Sequence, residues 1–154
     1  MVKKLFIFAV LIIINFVIKN PQPSIKIEVE YDYTIDGDTV YLIEDGVKQK
    51  YRLLMVNTPE TNEAFGDKAT DYTQNLLENA DIIEIEYQED NELQDQYGRK
   101  LVWVFVDGQL IQEKLCAQGL VEDLYDNGGN YTYKVEVKKA LSYAKNHKMG
   151  IYEK

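Results

Sequence analysis

At 154 residues with a formal charge of −9, from 26 acidic and 17 basic side chains, the chain has room for one domain with a real core but not for two. Its 45% apolar and 28% charged content is ordinary for a globular protein and excludes wholesale disorder. The acidic balance argues against long-range attraction of polyanions, so any nucleic-acid partner must be held by a local cluster of cations.

Along the chain, Lys3 and Lys4 precede an apolar stretch from Leu5 to Ile18 that only Asn15 interrupts. This length suits the core of a signal peptide better than a membrane span, which needs about 20 residues. Residues 1–20 are therefore expected to be a signal peptide or a retained signal anchor. Residues 21–154 are then the folded domain, secreted or held on the outer face of the membrane through residues 5–18. Cleavage would remove Lys3, Lys4 and Lys19 and take the charge from −9 to −12.

Alternation from Ile25 to Ile35 predicts a strand with Ile25, Ile27, Val29, Tyr31 and Tyr33 on one face. Thr39–Ile43 continues in strand, Glu44-Asp45-Gly46 signals a hairpin, and Lys50–Val56 returns. After the break at Pro59, a helix is predicted from about Asp67 to Ala80, with Ala69, Tyr72, Leu76, Leu77 and Ala80 on its apolar stripe. Strands follow at Asp81–Tyr87 and Arg99–Val106. A helix over about Leu110–Gln118 is closed by Gly119. A third helix spans about Thr132–Lys148, with Gly150 as its stop. The order βββ-α-ββ-α-α predicts an α+β fold, a five-stranded OB-fold barrel with three helices.

Cys116 is the single cysteine, which excludes an intrachain disulfide, and its apolar setting reads as core. His147 is the single histidine, which argues against a Ser-His-Asp triad and against a His-rich zinc site. Metal binding would have to use oxygen ligands. Charges of both signs sit at the margins of apolar strands in three places: Ile35-Asp36-Gly37-Asp38-Thr39-Val40, Tyr51–Glu60 (YRLLMVNTPE) and Asp95-Gln96-Tyr97-Gly98-Arg99. Desolvating such groups is costly without partners, and the pattern suits a site for a metal and a phosphate.

IDGDTV, RLLMVNTPE and DQYGR, in this order and spacing, resemble the staphylococcal nuclease family. The similarity runs from about Ile25 to Tyr152 and takes in the VDG turn at Val106–Gly108, AQGL at Ala117–Leu120 and GIY at Gly150–Tyr152. The resemblance implies an exported, Ca2+-dependent nuclease acting on DNA and RNA, preferably single-stranded. It would cut the 5′ P–O bond, leave 3′-phosphates, and work as a monomer. Asp38 would ligate calcium, together with the side chain of Asn57 and the backbone carbonyl of Thr58. Arg52 and Arg99 would contact the scissile phosphate, Glu60 would serve as general base, and Tyr97 and Tyr125 would bind substrate.

Three positions depart from the family pattern. Asn57 stands where an aspartate is common, removing one negative charge from a site whose affinity depends on charge count. Asn127 replaces a second substrate tyrosine, and Gln96 a phosphate-binding lysine. The alternative reading is a non-catalytic nucleic-acid-binding OB-fold module with a weakened metal site.

Overall fold

Turn chemistry decides the strand pairing. Asp45-Gly46 and Asp107-Gly108 each hold both residues at positive φ, 50° and 76° in each pair. These are the left-handed conformations that a type I′ hairpin turn requires. A computed structural model of the chain describes residues 25–88, 94–126 and 128–153. The N-terminal segment and Asn127, both singled out above, lie outside the described residues.

The strands are β1 (Lys26–Glu28), β2 (Glu30–Asp36), β3 (Thr39–Glu44), β4 (Val47–Leu53), β5 (Val56–Asn57), β6 (Ile83–Tyr87), β7 (Lys100–Val106), β8 (Gln109–Leu110) and β9 (Asp123–Leu124). The helices are α1 (Gly66–Glu78), α2 (Ile111–Ala117) and α3 (Lys134–Asn146). The main sheet runs β1-β6-β7-β4-β3-β2. Its two ends, β1 and β2, are consecutive in the chain and separated only by Val29, whose N–H bonds the Ile83 carbonyl at 2.9 Å. One bent strand therefore pairs with β6 at its start and with β3 at its end. That closes the sheet into the five-stranded OB-fold barrel expected from the element order. Among the described residues, no helix is long and apolar enough to cross a membrane.

The bend has a cost in register. The β2–β3 pairing shifts between Tyr31 and Tyr33 and again between Thr34 and Asp36. A one-residue shift sends the following side chains to the other face. The single face proposed for Ile25 to Tyr33 is thus broken: Val29 and Thr34 are buried, while Ile25 is 81% and Tyr33 58% exposed. In the strand read at Asp81–Tyr87, Ile83 and Ile85 are buried.

The core lies inside the barrel, with Trp103, Tyr51, Leu42 and Leu53 among its fully buried side chains, and continues under the helices through Leu77, Ile111 and Leu115. Thr73 is a buried member of the α1 stripe that periodicity does not single out. Its hydroxyl donates to the Gly37 carbonyl at 2.7 Å and so fastens α1 to the Asp-Gly-Asp turn.

Helix α2 ends as the sequence predicts. Gly119 has φ +67°, its N–H bonds the Cys116 carbonyl, and Leu120 N–H bonds the Leu115 carbonyl at 3.0 Å, which is a Schellman motif. Helix α3 ends differently. Lys148, two residues before Gly150, takes the left-handed position that ends the helix, at φ 52°, while Gly150 is itself left-handed at φ 56°, and Met149 N–H closes onto the Ala144 carbonyl. Gly150 is required for space: a Cβ there would lie 2.3 Å from the Gly119 carbonyl oxygen. The AQGL and GIY segments touch backbone to backbone, sealed by the bond from Ile151 N–H to Gly119 O at 2.9 Å.

A Cβ at Gly119 would lie 2.2 Å from the Met149 carbonyl oxygen, and the left-handed backbone adds strain. Gly119→Ala is therefore expected to lower stability by about 2 kcal/mol or more. Urea denaturation checks this, with the midpoint falling and the m-value unchanged.

Candidate active site

The site forms where three segments distant in sequence converge: the turn before β3, the bend after β4, and the loop before β7. Gly37 is needed there for packing, not for its φ. A Cβ on it would lie 2.7 Å from both the Ala69 Cβ and the Thr58 hydroxyl oxygen. This close approach brings Asp38 against Thr58.

The Asp38 side chain is 7% exposed and its carboxylate is fully engaged. Oδ2 accepts from Thr58 N–H at 2.8 Å and from the Thr58 hydroxyl at 3.0 Å. Oδ1 accepts from the Thr39 hydroxyl at 3.1 Å and faces Arg52 Nε at 3.0 Å. Asp36 Oδ1 in turn accepts from Asp38 N–H. Burial pushes the Asp38 carboxyl up to about 6, against the pull of Arg52 and the Thr58 bonds and with the help of neighbouring Asp36.

Arg52 sits in a bend of its own chain. Met55 takes a left-handed φ of 67° just after β4, turning the carbonyls of Leu53 and Val56 toward the guanidinium. Nη1 donates to these at 2.9 and 2.6 Å, and Nη2 donates to Asn57 Oδ1 at 3.1 Å. With Nε facing Asp38, a single N–H, on Nη2, is left for a ligand. Burial holds Arg52 below the ordinary guanidinium value, with Asp38 opposing that shift and nearby Arg99 adding to it.

Arg99 is the freer cation. Its Nε donates to Asp95 Oδ2 at 2.6 Å and its Nη1 to the Thr39 hydroxyl at 3.2 Å, which leaves three N–H groups. Asp95 is the positioning group that motif reading missed. Its Oδ1 also accepts from the backbone N–H of Tyr97 and of Arg99, so it sets the turn and the side chain together. Partial burial works to raise its carboxyl, but these bonds from Arg99 and Tyr97 hold it below the usual range. An aspartate four residues before an arginine across a Tyr-Gly turn was the available signal.

Arg52, Asn57, Asp95, Tyr97, Arg99 and Tyr125 line one cleft of about 970 Å³. Tyr97 and Tyr125 stand at its edge, each 72% exposed. Asp123 also lines the cleft and is the cross-strand partner of Asn57. Asp38 and Thr58 lie behind Arg52, outside the lining. Glu60 is exposed beyond the bend, and among the described residues its carboxylate has no hydrogen-bond or ion-pair partner. The Glu60 backbone is held tightly. Its N–H donates to Glu63 Oε2 at 3.0 Å, and Gly66 packs so closely that a Cβ there would lie 1.9 Å from the Glu60 carbonyl oxygen. Glu63, Glu122 and Asp123 make this end of the site acidic. Partial burial, then Glu63, Asp123 and Glu60, raises the Glu122 carboxyl.

A family model described as "Staphylococcal nuclease homologue" matches residues 50–154. The thermonuclease of Staphylococcus hyicus is 33% identical over 124 residues, covering 77% of this chain and 71% of that protein. The chain belongs to the staphylococcal nuclease family. Another family relative, endonuclease YncB of Bacillus subtilis (strain 168), is 33% identical over 134 residues, covering 83% of this chain. The thermonuclease of Staphylococcus intermedius is 31% identical over 126 residues, covering 78% of this chain and 73% of that protein. The chain spans 63% of the length of YncB and 45% of the prophage-derived endonuclease YokF.

Within this family frame, the oxygen donors of Asp38, Asn57 and Thr58 fit a hard cation in kind. Their charge is low, since Asn57 contributes a neutral amide. Among the described residues, no three His, Cys, Asp or Glu side chains gather closely enough to hold a metal.

Removing the guanidinium would leave the buried Asp38 carboxylate without its counter-charge. Arg52→Met is expected to cost about 3 kcal/mol at pH 8. The loss should be smaller at pH 5. Without Arg52 the folded-state pKa of Asp38 lies above about 6, so the folded protein binds the extra proton and the variant loses stability as pH rises through that value. Denaturation midpoints at the two pH values check this.

Proposed function

We propose that the chain is a metal-dependent phosphodiesterase that cleaves DNA and RNA, taking single strands in preference. The observation that carries this reading is the pair Arg52 and Arg99 in one cleft, with N–H groups left to donate and the unpartnered Glu60 carboxylate close by in the chain. Planar guanidinium forks match the paired oxygens of a phosphodiester and gain strength as charge builds toward the transition state. Arg99, with three N–H groups left, is the main phosphate donor, and Arg52 adds one.

Glu60 orients a water and takes its proton as the water oxygen bonds to phosphorus. The P–O5′ bond breaks, the 5′-oxygen picks up a proton from solvent, and a 3′-phosphate remains on the other fragment. The exposed rings of Tyr97 and Tyr125 flank the cleft and offer faces on which bases stack, at about 1–3 kcal/mol per base. Strands with unpaired bases can use these faces, which supports the single-strand preference.

Ca2+ is the cation proposed, held by Asp38, Asn57 and the Thr58 carbonyl; when bound, it supplies positive charge to the phosphate oxygens. Two observations support a cation requirement. The Glu60 end is crowded with carboxylates, which repel a polyanion unless a cation offsets them, and the donor atoms are all hard oxygens. We also propose export, on the Lys3-Lys4 flank and the apolar run that follows.

One observation favours a binding module without turnover: Arg52 spends most of its N–H groups on the protein, and Asn57 adds no charge. Incubation with denatured DNA, in calcium and in chelator, separates the readings. Calcium-dependent cleavage with 3′-phosphate ends is expected, and Asn57→Asp should need less calcium. Oligonucleotide binding with no product would favour the binding module instead.

A further inference from the structure

Outside the cleft, the most concentrated polar cluster among the described residues gathers on one carboxylate. Glu44, at the end of β3, accepts at Oε2 from the Tyr51 hydroxyl at 2.7 Å, the Tyr87 hydroxyl at 2.9 Å and Lys100 Nζ at 3.1 Å. Lys100 Nζ also donates to the Tyr87 hydroxyl at 3.2 Å. Glu44 therefore joins β3, β4, β6 and β7, four of the five barrel strands. Its side chain is 12% exposed, and Tyr51 is fully buried.

The placement relative to the arginines is what matters. Tyr51 immediately precedes Arg52, and Lys100 immediately follows Arg99. Tyr51 and Lys100 are also direct partners in the β4–β7 ladder. That ladder is the one parallel pairing among the described strands and holds only three residue pairs: Tyr51 with Lys100, Arg52 with Leu101, and Leu53 with Val102. A hairpin fixes its register through its turn; a short parallel pair between distant segments has no such device. Because successive side chains on a strand point to opposite faces, fixing Tyr51 inside the barrel fixes Arg52 outside it.

We propose that Glu44 is a positioning residue for phosphodiester cleavage: by gripping Tyr51 and Lys100 it locks the register of β4 against β7 and so sets the separation of Arg52 and Arg99. This rests on the functional reading above. Small misplacements of groups that meet the transition state lower the rate far more than they lower ground-state binding.

The test compares wild type, Glu44→Gln and the milder Tyr51→Phe, which keeps the ring and loses one bond. Each variant is first shown to be folded by circular dichroism. In Glu44→Gln, kcat is expected to fall about 10- to 100-fold while KM for denatured DNA stays within about twofold; Tyr51→Phe should fall in the same direction by less. In an Arg99→Ala background the Glu44→Gln loss should largely vanish, because the group being positioned is gone. The Nε–H signals of Arg52 and Arg99 in 1H–15N spectra should both move in Glu44→Gln, a readout independent of cleavage. Unchanged kcat, an equal loss in the Arg99→Ala background, or unmoved arginine signals would overturn the proposal. Failure of wild type to cleave while the arginine signals still move would instead overturn the functional reading.

Discussion

The site depends on one buried ion pair. Asp38 comes from the turn before β3 and Arg52 from strand β4 beside it, and each would be costly to bury alone. Asp38 draws in the Thr58 N–H and hydroxyl, and Arg52 draws in the carbonyls of its own bend and the Asn57 amide. The turn before β3 and the bend after β4 are placed by this pair or by contacts that support it, while Asp95 and Thr39 hold Arg99. Gly37 allows Thr58 to approach, Thr73 pins α1 to the turn, and Gly66 leaves room for the Glu60 carbonyl. The pair is also the point of tension. The same Asp38 oxygens that a cation would need are already occupied by four donors, so binding a metal means competing with Arg52 and Thr58.

This competition gives Asn57 its meaning. In the protein as folded, its amide oxygen accepts from Arg52, which a neutral group does without adding to the burden of like charge around Asp36 and Asp38. A carboxylate there would bind both the guanidinium and a cation more strongly. Asp123, directly across from Asn57 in the β5–β9 pair, puts a negative charge back into the cleft, though from the opposite strand.

Much of this was legible in the sequence because local signals agreed with the tertiary result. The Asp45-Gly46 pair specified its hairpin, whereas Asp107-Gly108 makes a second one onto the short strand β8 instead of leading straight into a helix. Helical periodicity found Ala69 and Leu77, and the three charged motifs converge around one cleft. Other features depended on contacts between distant segments. Alternation could not reveal the register shifts in β2 that put Tyr33 outside. A helix-stop rule pointed to Gly150, but Lys148 ends the helix and Gly150 serves its backbone approach to Gly119. The assignment of N–H groups that makes Arg99 freer than Arg52, and the convergence of Tyr51, Tyr87 and Lys100 on Glu44, appear only once four strands are side by side.

In the proposed division of labour, Arg99 meets the phosphate and Glu60 meets the water. Single-turnover cleavage of a short single-stranded DNA by wild type, Arg99→Ala and Glu60→Gln tests this most directly. The account predicts that each substitution slows cleavage by about 100-fold or more, with Glu60→Gln leaving stability unchanged because its side chain is exposed and unpartnered. Cleavage at the wild-type rate by either variant would contradict it.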